Sequence, residues 1–165
     1  MKLAVIAVGH RMPAWINAGF DEYAKRMPRE MPLSITELRP EIRSANAGAA
    51  AIAKLVDAEA RRIIEALPKG ALKVVLDETG QQVTTRKLAE RMTQWRERGG
   101  SVAFVIGGAD GTSAGLKKSA DWLWSLSPLT LPHGLVRVVL AEQLYRAASI
   151  LGNHPYHRSG LRIED

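Results

Sequence analysis

Cysteine is absent from all 165 residues, which excludes disulfide staples, a thiolate nucleophile and cysteine-ligated zinc or iron–sulfur sites. Such a chain suits a reducing cytoplasm. Long apolar runs are missing as well. Nothing approaches the roughly 18 uncharged apolar residues of a membrane span, and LAVIAV (3–8) is shorter than a signal-peptide h-region. No Ser/Gly-rich linker, low-complexity tract or internal repeat divides the sequence. A chain of this length can bury roughly 70% of its unfolded surface around one core, so one domain over 1–165 is expected.

Several catalytic and cofactor signatures are also lacking. IGGADG (106–111) does not fit G-x-G-x-x-G. GTSAGLKKS (111–119) fails the P-loop, because three residues separate Gly111 from Gly115 and Leu116 precedes the lysines. VGH (8–10) closes the first apolar run with a single glycine, so the glycine-rich first turn of a dinucleotide fold is missing, and His10 reads as a surface or capping histidine. There is no G-x-S-x-G for a hydrolase nucleophile. His154 and His157 lack a nearby acidic or cysteine partner, and Pro155 opposes their sharing a helical face, so no metal site is expected.

What is present begins with charge. The formal net charge of +6 comes from basic residues scattered through every segment; it is compatible with a polyanion such as RNA and equally with a merely soluble surface. The hydrophobic pattern alternates strand and helix. LAVIAV reads as a buried strand, followed by a helix entered at Pro13 with Ile16, Phe20, Tyr23 and Met27 on its core face. LSITEL (33–38) alternates as a strand. Residues 44–67 read as an Ala-rich amphipathic helix with Ile52, Leu55, Val56, Ile63 and Leu67 on one side and Arg61 and Arg62 facing water. ALKVVLDE (71–78) and SVAFVIGG (101–108) are expected to be central strands, continuously apolar as in a sheet covered on both faces, with a helix over 84–98 between them. A short helix (112–120), a short strand in DWLWSLS (121–127) and a helix over 132–151 complete an α/β layer structure with a mostly parallel sheet flanked by helices. The last helix is apolar almost all round, more than one core face needs, which points to a second protein surface such as another copy.

Three strand-end loops could line one crevice: Leu76-Asp77-Glu78, IGGADG, and SLSPLTLPH (125–133). The glycines of IGGADG serve either a tight turn or the close approach of backbone to a ligand. Beyond the last helix, NHPYHR (153–158) concentrates histidine, tyrosine and arginine in a tail of residues 152–165.

Taken together, FVIGGADG (104–111), SLSPLTLPHGLVRVVLAEQLYRA (125–147) and NHPYHR, in this order and at these separations, resemble the ribosomal RNA large subunit methyltransferase H family. The resemblance runs from MKLAVIAVGH to Arg158, where the family pattern usually ends; here the chain continues as SGLRIED (159–165). It implies a single-domain SPOUT-type fold with a trefoil knot near the C-terminus, a homodimer, and S-adenosylmethionine-dependent methylation of N3 of a pseudouridine in 23S rRNA, on the ribosome or large subunit. By the same resemblance the cofactor site falls on Leu76, Gly107 and the loop Leu126, Ser127, Pro128, Leu129, Thr130 and Leu131. The tail then supplies the chemistry. Arg158 would stabilise charge on the uracil ring, Tyr156 would stack on the base or relay a proton, and His157 would serve as general base at neutral pH. Arg137 and Arg146 either line the rim of a shared cleft or pair with Glu142 on the surface. Two rivals stay open: a SPOUT enzyme with another RNA target, and a basic module that docks on rRNA without chemistry.

Overall fold

The computed structural model describes residues 1–158, with the side chains of His157 and Arg158 outside the description, as is the SGLRIED tail. Five parallel strands form one sheet: β1 (Lys2–Val8), β2 (Leu33–Leu38), β3 (Leu72–Gln82), β4 (Ser101–Ile106) and β5 (Trp122–Ser125), in the order β2-β1-β4-β3-β5. The helices are α1 (Ala14–Ala24), α2 (Ala49–Ala66), α3 (Thr85–Arg98), α4 (Ala114–Lys118) and α5 (His133–Leu151), followed by a 3-10 turn over Pro155–Arg158. Among the described residues no helix is long and apolar enough to cross a membrane.

The strands alternate their side chains between two cores. Leu3, Val5 and Ala7 of β1, with Val102, Phe104 and Ile106 of β4, face α1, α3 and α5; Ile6, Val8 and Val105 face α2 and α4. Both faces of the central strands are therefore dry, which is why they read as unbroken apolar runs. Each Leu, Val, Ile or Phe so buried contributes about 1.5–3 kcal/mol relative to exposure. In β5, Trp122 and Trp124 point to the first core and Leu123 to the second. The two indoles stack with ring centroids 4.8 Å apart, and Trp95 and Phe104 close the cluster.

Local chemistry explains where the elements start. Pro13 precedes the first turn of α1. Thr84 caps α3 by accepting from the Lys87 N–H at 3.2 Å, and Ser113 caps α4 by accepting from that of Leu116, also at 3.2 Å. Two expectations change. The Ala-rich helix begins at Ala49 rather than 44, because the Ser44 hydroxyl accepts the Asn46 N–H and the Ser44 carbonyl that of Ala47, offering the backbone a turn before Gly48 caps the helix. On that helix Val56, Glu59, Ala60 and Ile63 are buried, whereas Ile52 and Leu55 are half-buried and Arg62 pairs with Glu41 instead of standing free in water. β3 also runs on to Gln82, four residues past its expected end. There Trp124 of β5 pairs with both Leu76 and Gln81, and residues 77–80 between them bulge out of the ladder.

Candidate active site

The carboxyl ends of β3, β4 and β5 open onto one cavity of ≈ 450 Å³. All the strands are parallel, so every strand-end loop emerges at the same sheet edge, and the crevice lies where ligands bind in open α/β sheets. Of the residues expected to hold a cofactor, Leu76, Gly107, Leu126, Ser127, Leu129, Thr130 and Leu131 line it. Pro128 does not; it is exposed at the bend of its loop. That loop is shaped locally: the Ser125 hydroxyl donates to the Ser127 carbonyl at 3.0 Å, and the Ser127 hydroxyl accepts from the Leu129 N–H at 2.9 Å.

IGGADG makes a tight turn at the cavity. Gly111 N–H donates to the Gly108 carbonyl at 3.0 Å, which makes the tight turn, and the same residues wall the cavity. Gly107 is required by space: a Cβ there would lie 2.6 Å from the Gly111 carbonyl carbon and oxygen and 2.7 Å from Thr112 Cγ2. Arg43, from the β2–α2 connection, pairs with Asp110 at the rim.

Asp77 and His133 both lie in the loops expected at the crevice, but their partners are set by the tertiary structure. Lys117 of α4 approaches Asp77 Oδ2 at 2.5 Å. Burial alone would raise the Asp77 pKa, but hydrogen bonds from Lys117 and Thr79 outweigh it, and the carboxyl is held below its usual range as an anion. His133, the first residue of α5, places Nδ1 3.1 Å from the Gly107 carbonyl oxygen. Burial, and then the nearby Arg137 guanidinium, push its pKa down, so the ring is neutral at pH 7. Its place at the end of SLSPLTLPH puts His133 at the crevice, but nothing local in the sequence couples position 133 to 107.

The tail residues are elsewhere. Tyr156 lies against the C-terminal half of α5, its hydroxyl donating to Glu142 Oε1 at 3.2 Å and its ring 4.6 Å from that of Tyr145. The Arg146 guanidinium sits over the same ring at 4.8 Å and pairs with Glu142 at 2.6 Å. Tyr145 follows the cavity-lining Val136 by nine residues, ~14 Å along the helix. One chain therefore does not bring Tyr156 to its own cavity. Desolvation first, with Tyr23 and Glu142 beside it, pushes the Tyr156 hydroxyl up to about 12, so it is a proton donor throughout the physiological range. His157 and Arg158 share the 3-10 turn, and their side chains lie outside the described residues. Arg146 thus pairs as expected. Arg137 does not: it is 1% exposed and pairs with Glu37, whose side chain is 32% exposed, while also donating to the Gly9 carbonyl.

Comparison with known proteins points one way. The family described as predicted SPOUT methyltransferase matches residues 1–157. A ribosomal RNA large subunit methyltransferase H from Ralstonia pickettii (strain 12J) is 57% identical over 158 residues, covering 96% of this chain and 99% of the relative. The protein of the same name from Methylobacillus flagellatus is 55% identical with the same coverage. Among solved structures, a probable methylase family protein from Haemophilus influenzae Rd KW20 matches with a TM-score of 0.50 at 12% identity, over 94% of this chain and 69% of the other, a likeness of fold.

Proposed function

This chain belongs to the ribosomal RNA large subunit methyltransferase H family of SPOUT methyltransferases, and from that premise we propose that it methylates N3 of a pseudouridine in 23S rRNA, in the cytoplasm, using S-adenosylmethionine. The observation that carries the reading is the convergence of seven of the eight expected cofactor residues on one cavity at the sheet's carboxyl edge.

The cavity suits that cofactor. Its volume falls in the range of small-molecule sites, and its lining combines apolar side chains with charged and hydroxyl-bearing ones. Leu76, Leu126 and Leu131 offer apolar walls to a purine, the glycine turn and the Ser127–Thr130 stretch offer backbone groups to its edges, and Asp77, Glu78 and Lys117 offer charge to ribose hydroxyls and an amino-acid zwitterion. When bound, S-adenosylmethionine supplies an electrophilic sulfonium methyl. The protein's task is positioning, because an in-line displacement needs its two reactants aligned more than it needs covalent help.

The imide nitrogen must also lose its proton. Tyr156, protonated, acts as a donor or a stacking face rather than as the base; His157 takes the proton and Arg158 offsets charge on the ring. Because Tyr156 is held ~14 Å along α5 from its own cavity, a second copy delivers the tail. The half-buried apolar side chains Leu135, Val138 and Val139 of α5 support such a homodimer. The trefoil knot belongs to the same reading, as the fold expected of a SPOUT methyltransferase.

Calorimetric titration with S-adenosylmethionine tests the cavity: wild-type protein binds and Gly107→Val does not. Mapping methylated nucleotides on ribosomes from cells with and without the protein tests the target, and a methyl on any other base would reassign it. For the dimer, co-expressing Gly107→Val with Arg158→Ala should restore part of the activity that each variant lacks alone. Absence of complementation would return the tail to its own chain.

A further inference from the structure

α5 opens with His133 and carries Arg137 four residues later, on the same face of the helix. Arg137 is 1% exposed, and its guanidinium donates to Glu37 Oε1 at 2.5 Å, near the end of β2, and to the Gly9 carbonyl at 2.9 Å, just past β1. Gly9 has φ +128, and a Cβ there would lie 2.5 Å from His133 Nε2 and 3.0 Å from an Arg137 nitrogen. The missing side chain is the space in which imidazole and guanidinium meet. On the other side of the ring, Nδ1 reaches the Gly107 carbonyl at 3.1 Å.

These contacts decide the state of the ring. A carbonyl only accepts, so the imidazole proton must be on Nδ1. A guanidinium only donates, so a second proton on Nε2 would face like charge, and the N-terminus of a helix disfavours an imidazolium in addition. We infer that His133 is a positioning residue for the cofactor cavity, a neutral Nδ1–H imidazole that fixes the Gly107 peptide, and that Arg137, Glu37 and Gly9 set its tautomer and its place. The inference rests on the cavity being the S-adenosylmethionine site. Because the peptide unit is planar, holding the Gly107 carbonyl also fixes the direction of the Gly108 N–H. Strands β1 and β2 contribute no residue to the cavity wall, yet through this chain of contacts they determine its shape.

Asparagine and glutamine separate the roles of the two ring nitrogens. The Asn amide nitrogen occupies the place of Nδ1, two bonds from Cβ, whereas that of Gln reaches the distance of Nε2. Calorimetry of the full chain with S-adenosylmethionine should give a Kd within about threefold of wild type for His133→Asn. His133→Gln and His133→Leu, which leave the Gly107 carbonyl unpaired, should weaken binding tenfold or more. Thermal melts of all four proteins report whether each is folded. In wild-type protein with ¹⁵N-labelled histidine, the His133 resonances should show the neutral Nδ1–H tautomer at pH 7, a readout that depends on no variant. Equal losses for Asn and Leu, no loss for Leu, or an Nε2–H or cationic ring would each overturn the inference. Wild-type protein that does not bind the cofactor would overturn the functional reading and this inference with it, whereas wild-type binding with undifferentiated variants would overturn the inference alone.

Discussion

Gly80 offers a measurement of how tightly the β3 extension packs against β5. A Cβ at that position would stand 2.5 Å from the Trp124 carbonyl carbon and 2.7 Å from the backbone nitrogens of Trp124 and Ser125. Carbon contacts settle near 3.5 Å, so Gly80→Ala demands a separation of roughly 0.8–1 Å between two backbones. β5 cannot yield inward, because Trp122 and Trp124 are wedged in the aromatic core at 8% and 3% exposure. It can yield only by loosening the pairing of Gln81 and Gln82 with Trp124 and Ser125. Overpacking costs about 1–3 kcal/mol and a weakened backbone hydrogen bond about 1 kcal/mol, giving about 3 kcal/mol in all. For a chain of this size that is a fall in Tm of about 6–12 °C, read by circular dichroism or calorimetry. The same shift displaces Trp124 and Ser125 in the cavity wall, so cofactor affinity should fall with it. Gly115→Ala is the control: nothing lies within 4 Å of its Cβ, and alanine in a helix should leave Tm unchanged or slightly raised. A Gly80→Ala protein melting within about 2 °C of wild type would refute the close packing.

Glu37→Gln removes the counter-charge of the buried Arg137 guanidinium but keeps an acceptor oxygen, and Glu37 is itself 32% exposed, so it should cost about 1–3 kcal/mol in urea unfolding; no measurable loss would mean that the charge pairing contributes nothing to stability. His133 has a folded pKa depressed below 6.5 by burial and by Arg137, so its contribution to stability is complete above that pH and is lost as pH falls towards the folded value. Wild-type urea midpoints should therefore decline more from pH 7 to pH 5 than those of His133→Asn; parallel declines would assign the effect to other groups. Tyr156 is raised to about 12, so its stabilisation is whole below pH 10 and lost as pH rises through about 12. Ultraviolet titration should show one of the three tyrosines ionising late and that late step missing in Tyr156→Phe.

The sequence by itself determined the succession of elements. Unbroken apolar runs marked β1, β3 and β4 because both faces of those strands are dry, and the helices expected over 84–98 and 132–151 lie within a residue of α3 and α5. Polar strand-end loops at one edge follow from a parallel sheet, so Leu76, Gly107 and most of 126–131 were legible as one crevice before any coordinates, and the family resemblance gave the crevice its cofactor. Helix 44–67 was misjudged at its start because the hydrogen bonds of Ser44 compete with helix formation over a few residues that look helical by composition.

Tertiary structure alone decided the rest, because each remaining contact joins positions far apart in the chain. His133 meets Gly107 and Gly9, Arg137 pairs with Glu37, and Lys117 reaches Asp77; no local periodicity encodes these distances. The placement of Tyr156 at the far end of α5 is of the same kind. A helix of known length separates Tyr145, against which the Tyr156 ring packs, from the cavity-lining Val136 by a fixed rise per residue, but only the packed structure shows which face of α5 Tyr156 takes.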